Sequence, residues 1–244
     1  LGKDAKHEYG LEKPAATLAL TTEQDGASKT IAVTFGPKDA DGNRGGILES
    51  TRWLDGYERV AEQAAALPET RLVYVADREA DMFELFDYRR RQAGPKADLL
   101  VRAKWNRQLA DTDATLFAEL AAAPLAQTVK ITVPRQREHV GQPSDPGRPG
   151  LAAREAEVEM RFKEMTLHAP QTPTLRGQPP VRLWAVGLEE KNPPAGATAV
   201  RWVLLTTVQV VSAKQARKCI RWYCRRWRIE EWHRVLKSGC RIEA

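Results

Sequence analysis

Apolar and polar positions predict alternating strands and helices in the first part of the chain. Residues 16–35 carry β-branched and leucine side chains on both sides of Asp25-Gly26, a common hairpin turn, so they predict two antiparallel strands. Apolar residues recur at helical spacing over 48–67, which predicts a helix. The remaining predicted elements of this part are a strand at 71–77, a helix at 78–92 and a strand at 97–104. The alternation predicts a sheet covered by helices.

The pattern changes after residue 104. Polar and apolar residues alternate over 128–134 and 155–170, as they do in half-exposed antiparallel strands. Two further apolar stretches, 181–188 and 200–208, also predict strands. A β-rich segment therefore separates the first α/β part from the end of the chain.

A final helix is predicted from Ser212. Ser212 and Gln215 fit a capping box, in which a serine N-cap is followed three residues later by glutamine. Gly239 is well placed to end the helix, since glycine often follows a helix C-terminus.

One face of this helix carries a candidate site. At about 100° per residue, Tyr223, Arg226, Glu230 and Lys237 fall within an arc of roughly 60°, with His233 beside them. One carboxylate among basic groups is what a phosphate-handling metal site uses. The simpler alternative is a solvated face with an Arg226–Glu230 pair.

A second candidate is Asp77, in the sequence VYVADREADM. A buried strand delivers this aspartate at its carboxyl end, where α/β sheets commonly place ligands and catalytic groups. The alternative is that Asp77 simply caps the following helix, which is a frequent role for aspartate.

Charge and composition favour a polyanionic partner. The 244-residue chain has a formal net charge of +6 and a pI near 9.3. Basic residues concentrate at 89–107 and 214–241, and two such clusters could line one groove on a nucleic acid. No apolar run is long enough to span a bilayer and no signal peptide is evident, so we expect a cytoplasmic protein.

Cysteine usage argues against a disulfide framework or a zinc site. The odd number of cysteines, Cys219, Cys224 and Cys240, predicts free thiols in a reducing compartment. Cys219 and Cys224 diverge by about 140° around a helix, whereas zinc, with His233 as a further ligand, needs converging side chains.

Taken together, these motifs resemble bacterial insertion-sequence transposases of the DDE class. Tyr223-x2-Arg226-x3-Glu230-x6-Lys237 matches the Y-(2)-R-(3)-E-(6)-K signature of cut-and-paste members, and DREAD at 77–81 matches the segment with their second catalytic aspartate. NPPAG, RWVLLTT, RWRIEEWH and LKSGC also resemble the family, in the same order.

The resemblance implies an RNase H-like α/β fold. Its mixed sheet is flanked by helices, with a β-rich antiparallel insertion before the last catalytic helix. On this basis residues 1–104 are the first part of the core, 105–210 the insertion, and 211–244 the helix that completes the core. The resemblance further implies cleavage of transposon ends in double-stranded DNA and strand transfer into a target, in the bacterial cytoplasm at the nucleoid.

The resemblance also implies roles for individual residues. Asp77 and Glu230 would be the second and third acids, holding Mg²⁺, with Mn²⁺ as a substitute. The DNA-binding residues would be Tyr223, Arg226, Lys237, Trp202, Arg102, Lys104 and His233. Trp202 would stack on a flipped base, with sheet packing as the alternative. His233 would support the site or be structural.

Two parts of the family pattern are missing from the sequence. The hairpin of 16–35 resembles the second and third strands of the family sheet, so we expect the first strand, with the first catalytic aspartate, upstream of Leu1. Family members also continue into a helical region that pairs two subunits, so we expect the full-length protein to be a homodimer. The chain is therefore expected to be a catalytic-core fragment, unable to complete transposition alone. The alternative is a remnant that binds DNA without cutting it.

Overall fold

The structure is a computed structural model that describes residues 16–24, 27–35, 46–93, 96–133, 135 and 150–226. Within it the chain divides into two compact units. The first comprises Leu1–Val101 and Ile220–Ala244, and the second comprises Arg102–Cys219. The description below takes each unit by itself.

The first unit begins with an antiparallel pair of strands. Strands β1 (Ala16–Gln24) and β2 (Ala27–Phe35) are paired along their whole length, with Gln24 opposite Ala27. This register confirms the predicted hairpin, while its predicted turn residues, Asp25 and Gly26, lie outside the described part of the chain.

After the hairpin, the described part of the first unit contains two α-helices and two parallel strands. They are α1 (Gly46–Ala66), β3 (Val73–Ala76), α2 (Phe83–Arg91) and β4 (Asp98–Arg102). Strands β3 and β4 pair in parallel from Val73 opposite Asp98 to Ala76 opposite Val101. Parallel neighbours need a crossover connection, which α2 supplies.

Helix α1 buries the apolar face that its sequence pattern predicts. Tyr57, Val60, Ala61 and Ala64 are all buried, at the spacing of one helical stripe. The Tyr57 hydroxyl donates to the carbonyl of Ala97 at 2.8 Å, and burial raises the pKa of this phenol. The hydroxyl thus remains a neutral donor that ties α1 to the start of β4.

The second unit is built on antiparallel strands. They are β5 (Gln127–Val133), β6 (Arg154–Leu167), β7 (Val181–Glu190) and β8 (Arg201–Thr206). They lie in the order β8-β7-β6-β5 with antiparallel neighbours. With the parallel pair of the first unit, this confirms the mixed α/β class.

A short helix, α3 (Leu116–Ala122), packs on β6 and β7. Gly187 of β7 permits this contact, because a Cβ there would lie 2.9 Å from Cδ2 of Leu120. The first turn of α3 is capped by a residue that lies earlier in the sequence, since the Phe117 N–H donates to Oδ1 of Asn106 at 2.9 Å.

The last described helix is α4 (Ala213–Arg225). Its start confirms the predicted cap, because the Gln215 N–H donates to Oγ of Ser212 at 3.3 Å. The Gln215 carboxamide oxygen in turn accepts from the Val211 N–H at 2.8 Å and from the Ser212 hydroxyl. The predicted helix end at Gly239 lies outside the described residues.

The structure corrects the sequence prediction in two places. The predicted helix at 78–92 is divided into a 3-10 helix, Arg78–Ala80, and α2, because Met82 between them is extended at φ −122° and ψ 137°. No helix was predicted over 116–122, where the structure has α3. This element has only seven residues, and its cap comes from Asn106, so local periodicity is a weak signal for it.

Candidate functional site

Asp77 directly follows β3, at the carboxyl end of a parallel strand. Its Oδ1 accepts a hydrogen bond from the Arg78 N–H at 2.7 Å, so Asp77 caps the 3-10 helix. The simpler alternative, that this aspartate is an N-cap, is therefore confirmed. It does not account for the contacts that follow.

The same carboxylate is contacted by Tyr223, in the last turn of α4, and by Arg226, which directly follows α4. The Tyr223 hydroxyl donates to Oδ1 of Asp77 at 3.1 Å, across 146 positions of sequence. The Arg226 Nη2 lies 3.2 Å from Oδ2. An N-cap requires neither contact. The two segments that carry the sequence motifs thus meet at one carboxylate within the first unit.

Burial differs sharply among the three side chains. Tyr223 is fully buried, and the side chains of Arg226 and Asp77 are 16% and 33% exposed. The Arg226 guanidinium lies 5.7 Å from the centroid of the Tyr223 ring, a cation–π distance. The donors are thus held by packing, whereas the carboxylate they contact is open to solvent on part of its surface.

The chemistry of Asp77 fits a hard divalent cation, because carboxylate oxygens are the ligands that such ions prefer. Of the predicted pair of acids, the described residues supply Asp77, and Glu230 lies outside them. Among the residues that the structure describes, no group of three or more histidine, cysteine or acidic side chains could hold a metal ion.

Comparison with known families accounts for this meeting of motifs. Residues 37–244 match the family model described as the transposase DDE domain. The chain belongs to the DDE transposase family. DDE transposases act on DNA and generally use divalent metal ions. The match thus covers Asp77 and the whole of α4.

Other acids near Asp77 in this DDE transposase have different surroundings. The Glu79 side chain is 70% exposed and pairs with Arg52 at 3.3 Å. Asp81 is buried, at 3% exposure. Asp77, by contrast, contacts both Tyr223 and Arg226 and is partly exposed.

The second unit brings together two other predicted DNA-binding residues. The Arg102 guanidinium lies 5.9 Å from the centroid of the Trp202 ring. Trp202 is in β8 and is 6% exposed, the burial that the sheet-packing alternative predicts, so its base-stacking role stays a prediction. Lys104 is exposed, and its Nζ lies 4.8 Å from the centroid of the Trp105 ring.

Three predicted site residues, Glu230, His233 and Lys237, lie outside the described residues. Their predicted roles, and the alternative Arg226–Glu230 pair, therefore stay predictions. The cysteines in α4 give no support to zinc: Cys219 is buried, and burial raises the pKa of the Cys224 thiol, which disfavours the thiolate that zinc binds.

Two features, one in each unit, were not predicted from sequence. One is the direct contact of Tyr223 and Arg226 with Asp77, which joins segments far apart in the chain. The other is Trp105, which is 55% exposed. Its signal was the run Arg102-Ala-Lys104-Trp105, in which basic residues precede an aromatic residue.

None of the helices in the described ranges combines the length and apolar character needed to cross a bilayer.

Proposed function

We propose that this DDE transposase chain is the catalytic core of a bacterial insertion-sequence transposase with an RNase H-like fold and a β-rich insertion. Asp77 and Glu230 hold the catalytic divalent ions, Mg²⁺ or Mn²⁺. Double-stranded transposon ends are cut and then joined to a target, at the nucleoid. The observation that carries the proposal is the contact of Tyr223 and Arg226, from one motif, with Asp77 of the other.

The bound ions would activate the attacking water or 3′-hydroxyl and stabilise the leaving oxygen of an in-line displacement. The chain's own residues have separate tasks. The Tyr223 hydroxyl fixes the orientation of the Asp77 carboxylate, since it donates to Oδ1 while the Arg78 N–H holds the same oxygen. Oδ2, which the Arg226 guanidinium contacts, then has a defined direction.

Arg226 has two tasks in this proposal. Its guanidinium offsets the charge of Asp77 in the fold, and a guanidinium is also a group that binds DNA phosphates well. In the same proposal Lys237 and His233 also bind DNA, and Arg102 and Lys104 contact the DNA end. Pairing of two such chains would place one core on each transposon end.

The alternative function is a DNA-binding remnant without catalysis. The net charge of +6 supports DNA binding under either proposal. The two differ in metal binding, because a remnant has no need of a competent cation site.

The deciding experiment is Mn²⁺ binding, measured by electron paramagnetic resonance on the chain and on Asp77→Asn. Asparagine keeps the N-cap and a hydrogen-bond acceptor for Tyr223 but loses the charge. We expect the variant to bind Mn²⁺ at least about tenfold more weakly, since even supporting residues of metal sites are worth that much. The matched control is Glu79→Gln, which removes an exposed acid two residues away.

Equal Mn²⁺ affinity in Asp77→Asn and the parent chain would refute the proposed site. Salt-sensitive DNA binding without Mn²⁺ binding would instead favour the remnant.

A further inference from the structure

Trp105 is an exposed aromatic residue next to a basic one. Its side chain is 55% exposed, and the Lys104 ammonium lies 4.8 Å from its ring centroid. Single exposed apolar residues are common on proteins, so exposure alone identifies nothing. Two further features of Trp105, its anchored backbone and its difference from Trp202, point to a binding role.

The segment that carries Trp105 is fixed on both sides. Before it, the Ala103 N–H donates to the Val203 carbonyl of β8 at 2.7 Å. After it, the Leu116 N–H donates to the Arg107 carbonyl at 2.8 Å, and Leu109 forms a bridge with Leu167 of β6. The indole is therefore presented from an anchored backbone.

The same segment supplies the basic residues of two pairs with indole rings, and the two indoles differ in exposure. Arg102 lies over Trp202, and Lys104 lies over Trp105. Trp202 is 6% exposed, whereas Trp105 is 55% exposed. An indole can stack on a nucleobase only if it is accessible to solvent, and more than half of the Trp105 surface is exposed.

We propose that Trp105 and Lys104 form a nucleotide-binding contact, in which the indole stacks on an unpaired base of the DNA and the ammonium meets the adjacent phosphate. Stacking on aromatic side chains with basic residues beside them is the general means of binding single-stranded nucleic acid. The inference rests on the proposed function for its ligand, DNA, and for the contact of Lys104 with it, but it assigns to Trp105 a base-stacking contact that the family motifs do not include.

The test is fluorescence-anisotropy titration of the chain with two labelled probes, a blunt DNA duplex and the same duplex with a single-stranded overhang. The variants are Trp105→Ala, Trp105→Phe and Lys104→Ala. The control is Leu125→Ala, which removes another exposed apolar side chain, 50% exposed, from the same unit. Circular dichroism verifies that each variant is folded.

We expect Trp105→Ala to weaken binding of the overhang probe by about 5- to 150-fold, with little change for the blunt probe. Trp105→Phe keeps most of the affinity because a ring remains. Lys104→Ala weakens binding of both probes and reduces the slope of log affinity against log salt by about 0.7 to 0.9. Leu125→Ala changes neither.

Two results would overturn the inference. If the parent chain binds both probes and Trp105→Ala binds the overhang as well as the parent does, the stacking contact is wrong and the proposed function is unaffected. If the parent chain binds neither probe, DNA binding itself is wrong, and the proposed function is overturned with it.

Discussion

Two arginine–carboxylate pairs, one in each unit, show how similar groups serve different ends. In the second unit, the Arg154 Nη1 and Nη2 donate to the two Glu190 oxygens at 2.5 and 2.9 Å, and the Glu190 side chain is 3% exposed. In the first unit, one Arg226 nitrogen lies 3.2 Å from Asp77, which is 33% exposed.

The two carboxylates also differ in their other contacts. Glu190 Oε2 accepts the Val200 N–H at 2.9 Å, so this acid joins the end of β7 to the approach to β8. Asp77 instead sits at a strand end with a solvent-exposed surface, beside a buried tyrosine. Arg154 and Glu190 thus form a closed pair, whose carboxylate is buried, whereas Arg226 and Asp77 form an open pair, whose carboxylate is partly exposed to solvent.

The largest expected effect comes from breaking the closed pair. Glu190→Ala leaves the Arg154 guanidinium, 18% exposed, without its carboxylate and the Val200 N–H without its acceptor. We expect the free energy of unfolding to fall by about 3 to 5 kcal/mol. Urea unfolding followed by circular dichroism measures it.

The control for this prediction is Glu189→Ala in the same strand. Its carboxylate pairs with Lys191 and Arg201 at the surface, so the loss should be under about 1 kcal/mol. Equal losses for Glu189→Ala and Glu190→Ala would contradict the distinction between a closed and an open pair.

A smaller effect should appear as pH dependence. The hydrogen bonds from Arg154 lower the pKa of Glu190 below its ordinary value of 4.5, against the effect of burial. A carboxyl with a lowered folded-state pKa adds stability above its unfolded pKa and loses it as the pH falls through the folded value. Acid titration of stability should therefore show a loss below about pH 4.5 that is reduced in Glu190→Gln.

Glu189 shares this pH window, because hydrogen bonds from Lys191 and Arg201 lower its pKa as well. Glu189→Gln therefore serves as the comparison. If Glu189→Gln reduces the loss of stability at low pH as much as Glu190→Gln does, the buried pair is not the main source of the pH dependence.

Much of this fold could be predicted from the sequence because its signals are local. The hairpin at 16–35 and the cap at Ser212 each depend on residues a few positions apart, and both appear as predicted. Helix α3 was missed because its cap is Asn106, and the break at Met82 was missed because the helical pattern continues through it.

The site shows the same division between local and distant signals. Helical spacing predicted that Tyr223 and Arg226 lie on one face of a helix. The apolar run before Asp77 predicted that this acid lies at the carboxyl end of a strand. That these segments meet depends on contacts across 146 residues, which periodicity does not encode. The family resemblance associated the two motifs in one site but did not predict the hydrogen bond between them.

The smallest effect should come from breaking the open pair. Arg226→Ala removes the contact to Asp77 and a cation–π contact with Tyr223, so we expect a loss of about 1 to 2 kcal/mol. Arg154→Ala, the matched change in the closed pair, should cost about 3 to 5 kcal/mol, because it leaves Glu190 buried without its cation. The same urea titration measures both.

The order of these two losses decides what kind of pair Arg226 and Asp77 form. A partly exposed carboxylate can recruit water when its arginine is removed, so we expect the fold to tolerate the loss of Arg226, as the proposed role of Asp77 as a cation ligand requires. If Arg226→Ala instead destabilises the protein as much as Arg154→Ala, the carboxylate depends on its arginine as Glu190 does. Asp77 would then be a structural acid in the fold, and its proposed role as a cation ligand would lose its physical basis.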